Sequence, residues 1–191
     1  MYAATSLEVI RELQSWGLSI EDYDELNWSP LRNAISDGES GLPRVRALID
    51  AGADVNATHD NGYTVFMYSL GSGRCLPVIR TLIAAGANPH AVSDYGYNAF
   101  HAAINIDGEA NAEDAVRDAL GYLCELGVDI EHRNRAGQTP LASAIAHGTG
   151  TEVRVLCELG ANANATCPQY RCGGAACACD DLPLLFHVVE C

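Results

Sequence analysis

Leu42-Pro43-Arg44-Val45-Arg46-Ala47-Leu48-Ile49-Asp50-Ala51-Gly52-Ala53-Asp54-Val55-Asn56-Ala57 is the stretch on which the fold turns. Val45 and Leu48 stand three apart and, with Ile49, lay one apolar stripe along a helix. Pro43 sits ahead of the stripe, where a helix begins and the missing N–H of proline costs nothing. Gly52 follows Leu48 by four residues and stops the helix, because glycine accepts the left-handed conformation of a C-cap.

The same phrase occurs along the whole chain, as Ile10-x-x-Leu13…Gly17, Ile79-x-x-Leu82…Gly86, Leu120-x-x-Leu123…Gly127 and Val153-x-x-Leu156…Gly160. A second phrase alternates with it: Ser29-Pro30-Leu31, Thr64-Val65-Phe66, Asn98-Ala99-Phe100, Thr139-Pro140-Leu141 and Leu182-Pro183-Leu184. Ser29 or Thr139 followed by proline is a helix N-cap with proline at the first helical position. From each glycine to the middle residue of the next phrase the count is 13 four times, then 23; from there to the next glycine it is 22, 21, 28 and 20. Four equal spacings mark an internal repeat of helix, short turn, helix and polar connection. Helices are therefore expected to begin near Ser29, Pro43, Thr64, Pro77, Asn98, Thr139 and Leu182.

Ala51-Gly52-Ala53-Asp54-Val55-Asn56-Ala57, Ala85-Gly86-Ala87-Asn88-Pro89-His90-Ala91, Gly137-Gln138-Thr139-Pro140-Leu141 and Phe100-His101-Ala102-Ala103 resemble the ankyrin repeat. The resemblance spans about residues 6–190. It implies an all-α solenoid of stacked helix-turn-helix units with hairpin-like fingers, each unit stabilised by burial against its neighbours. On this reading residues 1–191 are one domain. It holds an N-terminal half repeat (about 6–26), full repeats at about 27–58, 59–91, 92–132 and 133–166, and a C-terminal partial repeat at about 167–191. His101 falls where the family uses histidine to hydrogen-bond the finger to the helix start, which makes it structural. The third full repeat carries about seven extra residues, Asn105 to Asn111, expected as a solvent loop on the side away from the fingers. His187 stands where the other first helices have Ala34, Ser69, Ala103 and Ala144. The chain stops at Cys191 without a second helix, either as a capping unit or because the natural protein continues.

Composition excludes several function classes. The 11 basic and 25 acidic residues leave a net charge of −14. That charge disfavours nucleic acid, whose binding needs a basic surface that displaces counterions. Anionic membranes are disfavoured likewise, and no apolar run is long enough for a membrane span. With no secretory leader pattern at the start, the expected compartment is the cytoplasm. A basic protein remains open as a partner.

No catalytic constellation is readable, so the chain is expected not to be an enzyme and to need no cofactor. Gly71-Ser72-Gly73 lacks the third glycine and the preceding strand of a nucleotide loop, and neither Gly-x-Ser-x-Gly nor His-Glu-x-x-His occurs. Cys124 and Cys157 align with Ile49 and Ile83 and are expected to fill the core as small hydrophobes. Cys167, Cys172, Cys177 and Cys179 lie within 13 residues. Four thiolates could hold zinc, but the closely paired knuckles are missing. A reduced loop is the expected state, with zinc or a disulfide as the alternatives.

The resemblance implies that recognition residues lie on the fingers, eight, nine and eleven residues after each glycine. These are Glu25, Leu26 and Trp28; Asp60, Asn61 and Tyr63; Asp94, Tyr95 and Tyr97; and Arg135, Ala136 and Gln138. Tyr68, on the facing side of a first helix, joins them. Trp28, Tyr63 and Tyr97 are expected to form an aromatic row, beside an acidic row of Glu25, Asp60 and Asp94 broken at Arg135. Aromatic anchors carry interface energy and charge sets partner choice. The expected function is a monomeric protein-binding module for a basic protein. An inhibitor or immunity protein against a basic toxin or enzyme, and a targeting arm of a larger enzyme, are the alternatives. The bland alternative for the tyrosines is packing against neighbouring fingers.

Overall fold

Ser29 and Pro30 open a helix as the sequence predicts: the Ser29 Oγ accepts from the Arg32 amide at 3.3 Å, and Pro30 is the first helical residue. The computed structural model describes residues 19–25, 27–71, 75–104, 113–147 and 150–164, with Arg11, Ser15 and Gly17. Contacts divide the chain into two units, one ending at Ala91 and one starting at Val92. That boundary coincides with the one between the second and third full repeats.

The first unit contains α1 (Pro30–Ser36), α2 (Leu42–Asp50), α3 (Val65–Gly71) and α4 (Leu76–Ala84). α1 packs on α2 and α3 on α4, while α1 also packs on α3 and α2 on α4. The second unit contains α5 (Ala99–Ala102), α6 (Glu113–Glu125), α7 (Pro140–His147) and α8 (Gly150–Glu158). Its contacts repeat the scheme, α5 with α6, α7 with α8, α5 with α7 and α6 with α8. Each unit is thus two helix pairs stacked first on first and second on second. The described residues are all-α apart from one isolated antiparallel bridge between Thr58 and Thr64.

Local chemistry sets these boundaries. Thr64, Asn98 and Thr139 cap their helices as Ser29 does, accepting from the amides of Met67, His101 and Ala142. At the other ends Gly52, Gly86, Gly127 and Gly160 have φ between 72° and 97°. The amide of each bonds three residues back, and the next amide bonds five back, as in Gly52 to Ile49 and Ala53 to Leu48. This closes the last turn and satisfies carbonyls that would otherwise be orphaned.

The core is the apolar stripe read from the repeat. Val45, Ile79, Leu82, Leu120, Leu123 and Leu156 are buried, with Phe66 and Phe100 from the first helices. Two expectations need correction. Cys124 and Cys157 are exposed, not core-filling. They lie one residue, and so about 100°, past the buried Leu123 and Leu156, which puts them on the flank of the stripe. Ile49 and Ile83 at the same position are only half-buried. In α8 the stripe also shifts: Glu152 and Val155 are buried with Leu156, while Val153 is half-buried. Glu152 takes the position of Val78 and Ala119, in the first turn of its helix, where the helix dipole favours an anion.

Gly41 marks a close approach between the two helices of the first pair. A Cβ built there would overlap the carbonyl oxygen of Ala34, although the backbone itself (φ −80°) would admit any residue. Gly41→Ala is expected to lower stability by roughly 1–3 kcal/mol, as overpacking does. Gly121→Ala, in open space within α6, is the control and should be neutral or stabilising. Equal midpoints for Gly41→Ala and the parent in urea would remove the close approach as a constraint.

The extra residues Asn105–Asn111, the helix expected at Leu182, His187 and the four clustered cysteines lie outside the described residues. Among the described residues, no helix is long and apolar enough to cross a membrane, and no group of three metal-ligating side chains converges.

Candidate functional site: the finger turns and the first helices

Each connection between helix pairs holds a tight turn built the same way. The amides of Asp24, His59, Ser93 and Asn134 donate to the carbonyls of Trp28, Tyr63, Tyr97 and Gln138, four residues on. Asp24, Ser93 and Asn134 use their side chains as well, accepting from the amides of Trp28, Tyr97 and Gln138. The chain reverses through left-handed residues at the tip: Asn27, Asn61, Gly62, Gly96 and Gly137. The turns expose the residue eight after each glycine (Glu25, Asp60, Asp94 and Arg135) and, in the second and third turns, the ninth (Asn61 and Tyr95), while the eleventh is half-buried throughout.

A ladder supports the turns from below. In the first unit the Glu21 carboxylate accepts from the Asp54 amide at 2.9 Å. Asn56 accepts from the Asn88 amide and donates to the Gly86 carbonyl. In the second unit the Glu131 carboxylate accepts from the Asn162 amide at 2.6 Å. Side chains four residues after one glycine therefore hold the backbone two residues after the next.

In the first unit the predicted residues gather around a side chain that sequence reading missed. The Arg32 Cζ lies over the Trp28 ring at 3.6 Å from its centroid and over the Tyr68 ring at 4.0 Å. Tyr68 also meets Tyr63, with ring centroids 5.5 Å apart, and His59 at 5.7 Å. His59 meets Tyr23 edge-on at 5.5 Å, and Tyr23 is 47% exposed. Glu25, Asp60 and Asn61 are exposed around this cluster. Asn27 donates to the Asp60 carboxylate at 3.1 Å, joining two fingers. Trp28, Tyr63 and Tyr68 are half-buried. Leu26 lies outside the described residues.

Burial pulls the Arg32 guanidinium below its ordinary range, opposed by Tyr68, Asp60 and Asp24. Burial also lowers the His59 pKa. The His59 Nε2 stands 3.3 Å from the Ser29 Oγ, so this histidine ties a finger to the cap of α1.

In the second unit Asp94, Tyr95 and Arg135 are exposed, and the Arg135 amide donates to the Tyr95 carbonyl at 2.9 Å. Tyr97 is half-buried and stacks on His101, with planes 11° apart. Ala136 and Gln138 are half-buried. His101 is buried: its Nδ1 stands 2.8 Å from the Asn98 Oδ1 and its Nε2 3.1 Å from the Gln138 carbonyl. Burial pushes its pKa down to about 4, against the pull of the Gln138 carbonyl and with a smaller contribution from His132. It bridges one helix start to the next finger, the role implied for it. Tyr97, His101 and Ile104, with Ser143 and His147 of α7, line a shallow pocket.

The expected aromatic residues are therefore partly committed to internal packing, against first-helix side chains of their own repeats: Tyr63 on Tyr68 and Tyr97 on His101. Tyr95 at 53% exposure and Tyr23 at 47% present more ring to solvent than any of the residues eleven after a glycine. Arg32 could have been found by aligning the repeats, since it occupies the position of Met67, His101 and Ala142.

No protein-family model matches the chain. Over 57 residues it is 42% identical to protein phosphatase 1 regulatory subunit 27 of Homo sapiens, and 40% identical to its counterpart of the same name in Mus musculus. The match takes in 30% of this chain and 36% of each relative. The chain thus spans about a third of the length of the curated relatives it matches.

Proposed function

We propose that this chain is an ankyrin-repeat solenoid that binds another protein through its finger turns and first helices, without catalysing a reaction. The observation that carries the reading is the recurring unit itself: capped first helix, glycine-terminated second helix and a four-residue-spaced turn, present in both units. The turns project aromatic and acidic side chains, the combination that anchors and steers protein partners. The partner is a basic protein, given the net charge of −14 and the exposed Glu25, Asp60 and Asp94. The chain is a cytoplasmic monomer on this reading. The relatives' name, a regulatory subunit of protein phosphatase 1, supports a role exercised by binding and makes that phosphatase the first partner to test.

Crosslinking followed by mass spectrometry identifies the partner, and substitutions in the full chain then test the surface. Trp28→Ala or Tyr63→Ala is expected to cost about 2 kcal/mol or more of binding, as interface hot spots do. Asp60→Lys together with Asp94→Lys is expected to slow association and flatten its salt dependence, because steering depends on unscreened charge. Unchanged affinity in folded Trp28 and Tyr63 variants would place recognition elsewhere.

A further inference from the structure

The pocket of the second unit lies where a finger turn meets two first helices, with Tyr97, His101 and Ile104 on one side and Ser143 and His147 of α7 on the other. Even with the space open to solvent counted, it holds about 280 Å³. Cavities that bury whole small molecules run to about 300–1,000 Å³, so this one suits a single side chain. Its lining is mainly apolar. His101 directs both ring nitrogens at acceptors within the chain, the Asn98 Oδ1 and the Gln138 carbonyl, and Tyr97 stacks on its ring. It offers the pocket carbon and no hydrogen bond, so a charged group entering beside it would lose water and gain no partner from it.

Rings lead into the pocket from the finger tip. Tyr95, 53% exposed, stands 6.2 Å from Tyr97 between centroids, and Tyr97 stands 5.3 Å from His101. The tip is held against the next one: the Arg135 amide donates to the Tyr95 carbonyl. A Cβ at Gly96, where φ is +77°, would stand 2.8 Å from the Arg135 nitrogen, so the two turns meet through glycine. A surface fixed in advance loses little freedom on binding. Asp94 and Arg135, both exposed, occupy the same position on these two tips. The charge therefore changes sign from one finger to the next.

We propose that this pocket seats one aliphatic side chain, leucine in size, from an extended segment of the partner protein, with a basic residue on the side of Asp94 and an acidic one on the side of Arg135. This rests on the protein-binding reading and names its anchor in the second unit. A uniformly basic segment sets a like charge against Arg135 and is bound less well. A segment without the aliphatic residue leaves Tyr95 and the pocket lining in water, and loses the burial that anchors it.

The test is selection of random displayed peptides on the full chain, with the enriched peptides then titrated against Ser143→Leu, Arg135→Glu and Trp28→Ala. Ser143→Leu puts a side chain of the chain's own into the pocket from a half-buried position of α7, and leucine suits a helix. Circular dichroism and urea midpoints confirm that each variant is folded. Selected sequences are expected to carry Leu, Ile or Met between a basic and an acidic residue. Replacing that aliphatic residue with alanine should weaken binding to the parent at least about tenfold. Ser143→Leu should weaken the original peptide as much and the alanine peptide little further, since both changes remove one contact. Arg135→Glu should weaken the original peptide, and changing the peptide's acidic residue to lysine should restore affinity for that variant. Peptides that lose affinity to Trp28→Ala but bind Ser143→Leu as tightly as the parent would overturn the pocket while sparing the protein-binding reading. Peptides insensitive to every variant, or no enrichment at all, would overturn both.

Discussion

Phe100→Ala is expected to destabilise the second unit by about 3–5 kcal/mol, the usual cost of deleting a buried aromatic ring. Phe100 is fully buried, and α5, which carries it, has only four residues. A helix that short has no stability of its own, since nucleation costs more than one turn returns. Its place depends on the packing of Phe100, Ala99 and Ala103 against α6 and α7. Removing the ring leaves a cavity in a layer where first helix meets first helix. Because stacked units depend on their neighbours, the effect should show as an earlier and broader urea transition. A shift corresponding to less than about 1 kcal/mol would mean that the ring is not part of the supporting core.

Acidification is expected to weaken the fold between about pH 6.5 and 4, and His101 is the main reason. In the folded chain its pKa is about 4, against an ordinary 6.5. Above pH 6.5 the imidazole is neutral in both states, and its contribution to stability is fully present. Between 6.5 and 4 the unfolded chain takes up a proton that the folded chain refuses, so stability falls as pH falls. The interval amounts to about 3 kcal/mol by proton linkage. His59, also lowered by burial, adds a contribution of the same sign. His101→Leu gives up the bridge to Gln138 and should be less stable at pH 7, yet lose less stability on acidification. Parallel stability curves for the two proteins across that interval would contradict the assignment.

Much of the fold is legible from short stretches because its signals are local. A serine, threonine or asparagine before a helix caps it wherever the helix later packs. A glycine four residues after the stripe leucine ends the helix by its own conformational freedom. The helices that start at Pro30, Leu42, Val65, Leu76, Ala99 and Pro140 accordingly fall within a residue or two of their expected places, whereas no start was expected at Glu113 or Gly150. The ladder of Glu21, Asn56 and Glu131 is as regular as the glycines, yet its meaning comes only from the backbone that the next turn presents.

The site was less legible, for a physical reason. Spacing shows which side chains share a turn, but not which neighbouring face they meet. Trp28, Tyr63 and Tyr97 share a position and differ in fate: Trp28 lies under Arg32, Tyr63 against Tyr68, and Tyr97 on His101. Cys124 and Cys157 likewise share a position with two isoleucines, and the helix rotation leaves that position on the flank, where a thiol meets solvent.

By itself the sequence determined the repeating phrases, six of the described helix starts, the glycine caps and the strongly acidic charge. These follow from conformational preferences and composition, which act within a turn or two of chain. Only the tertiary structure decided that Arg32 is stacked between rings from two repeats, that His101 bridges Asn98 to Gln138, and that Glu152 is buried. Those outcomes join residues some 30 or more positions apart, or depend on the rotation of one helix against another, and packing sets both.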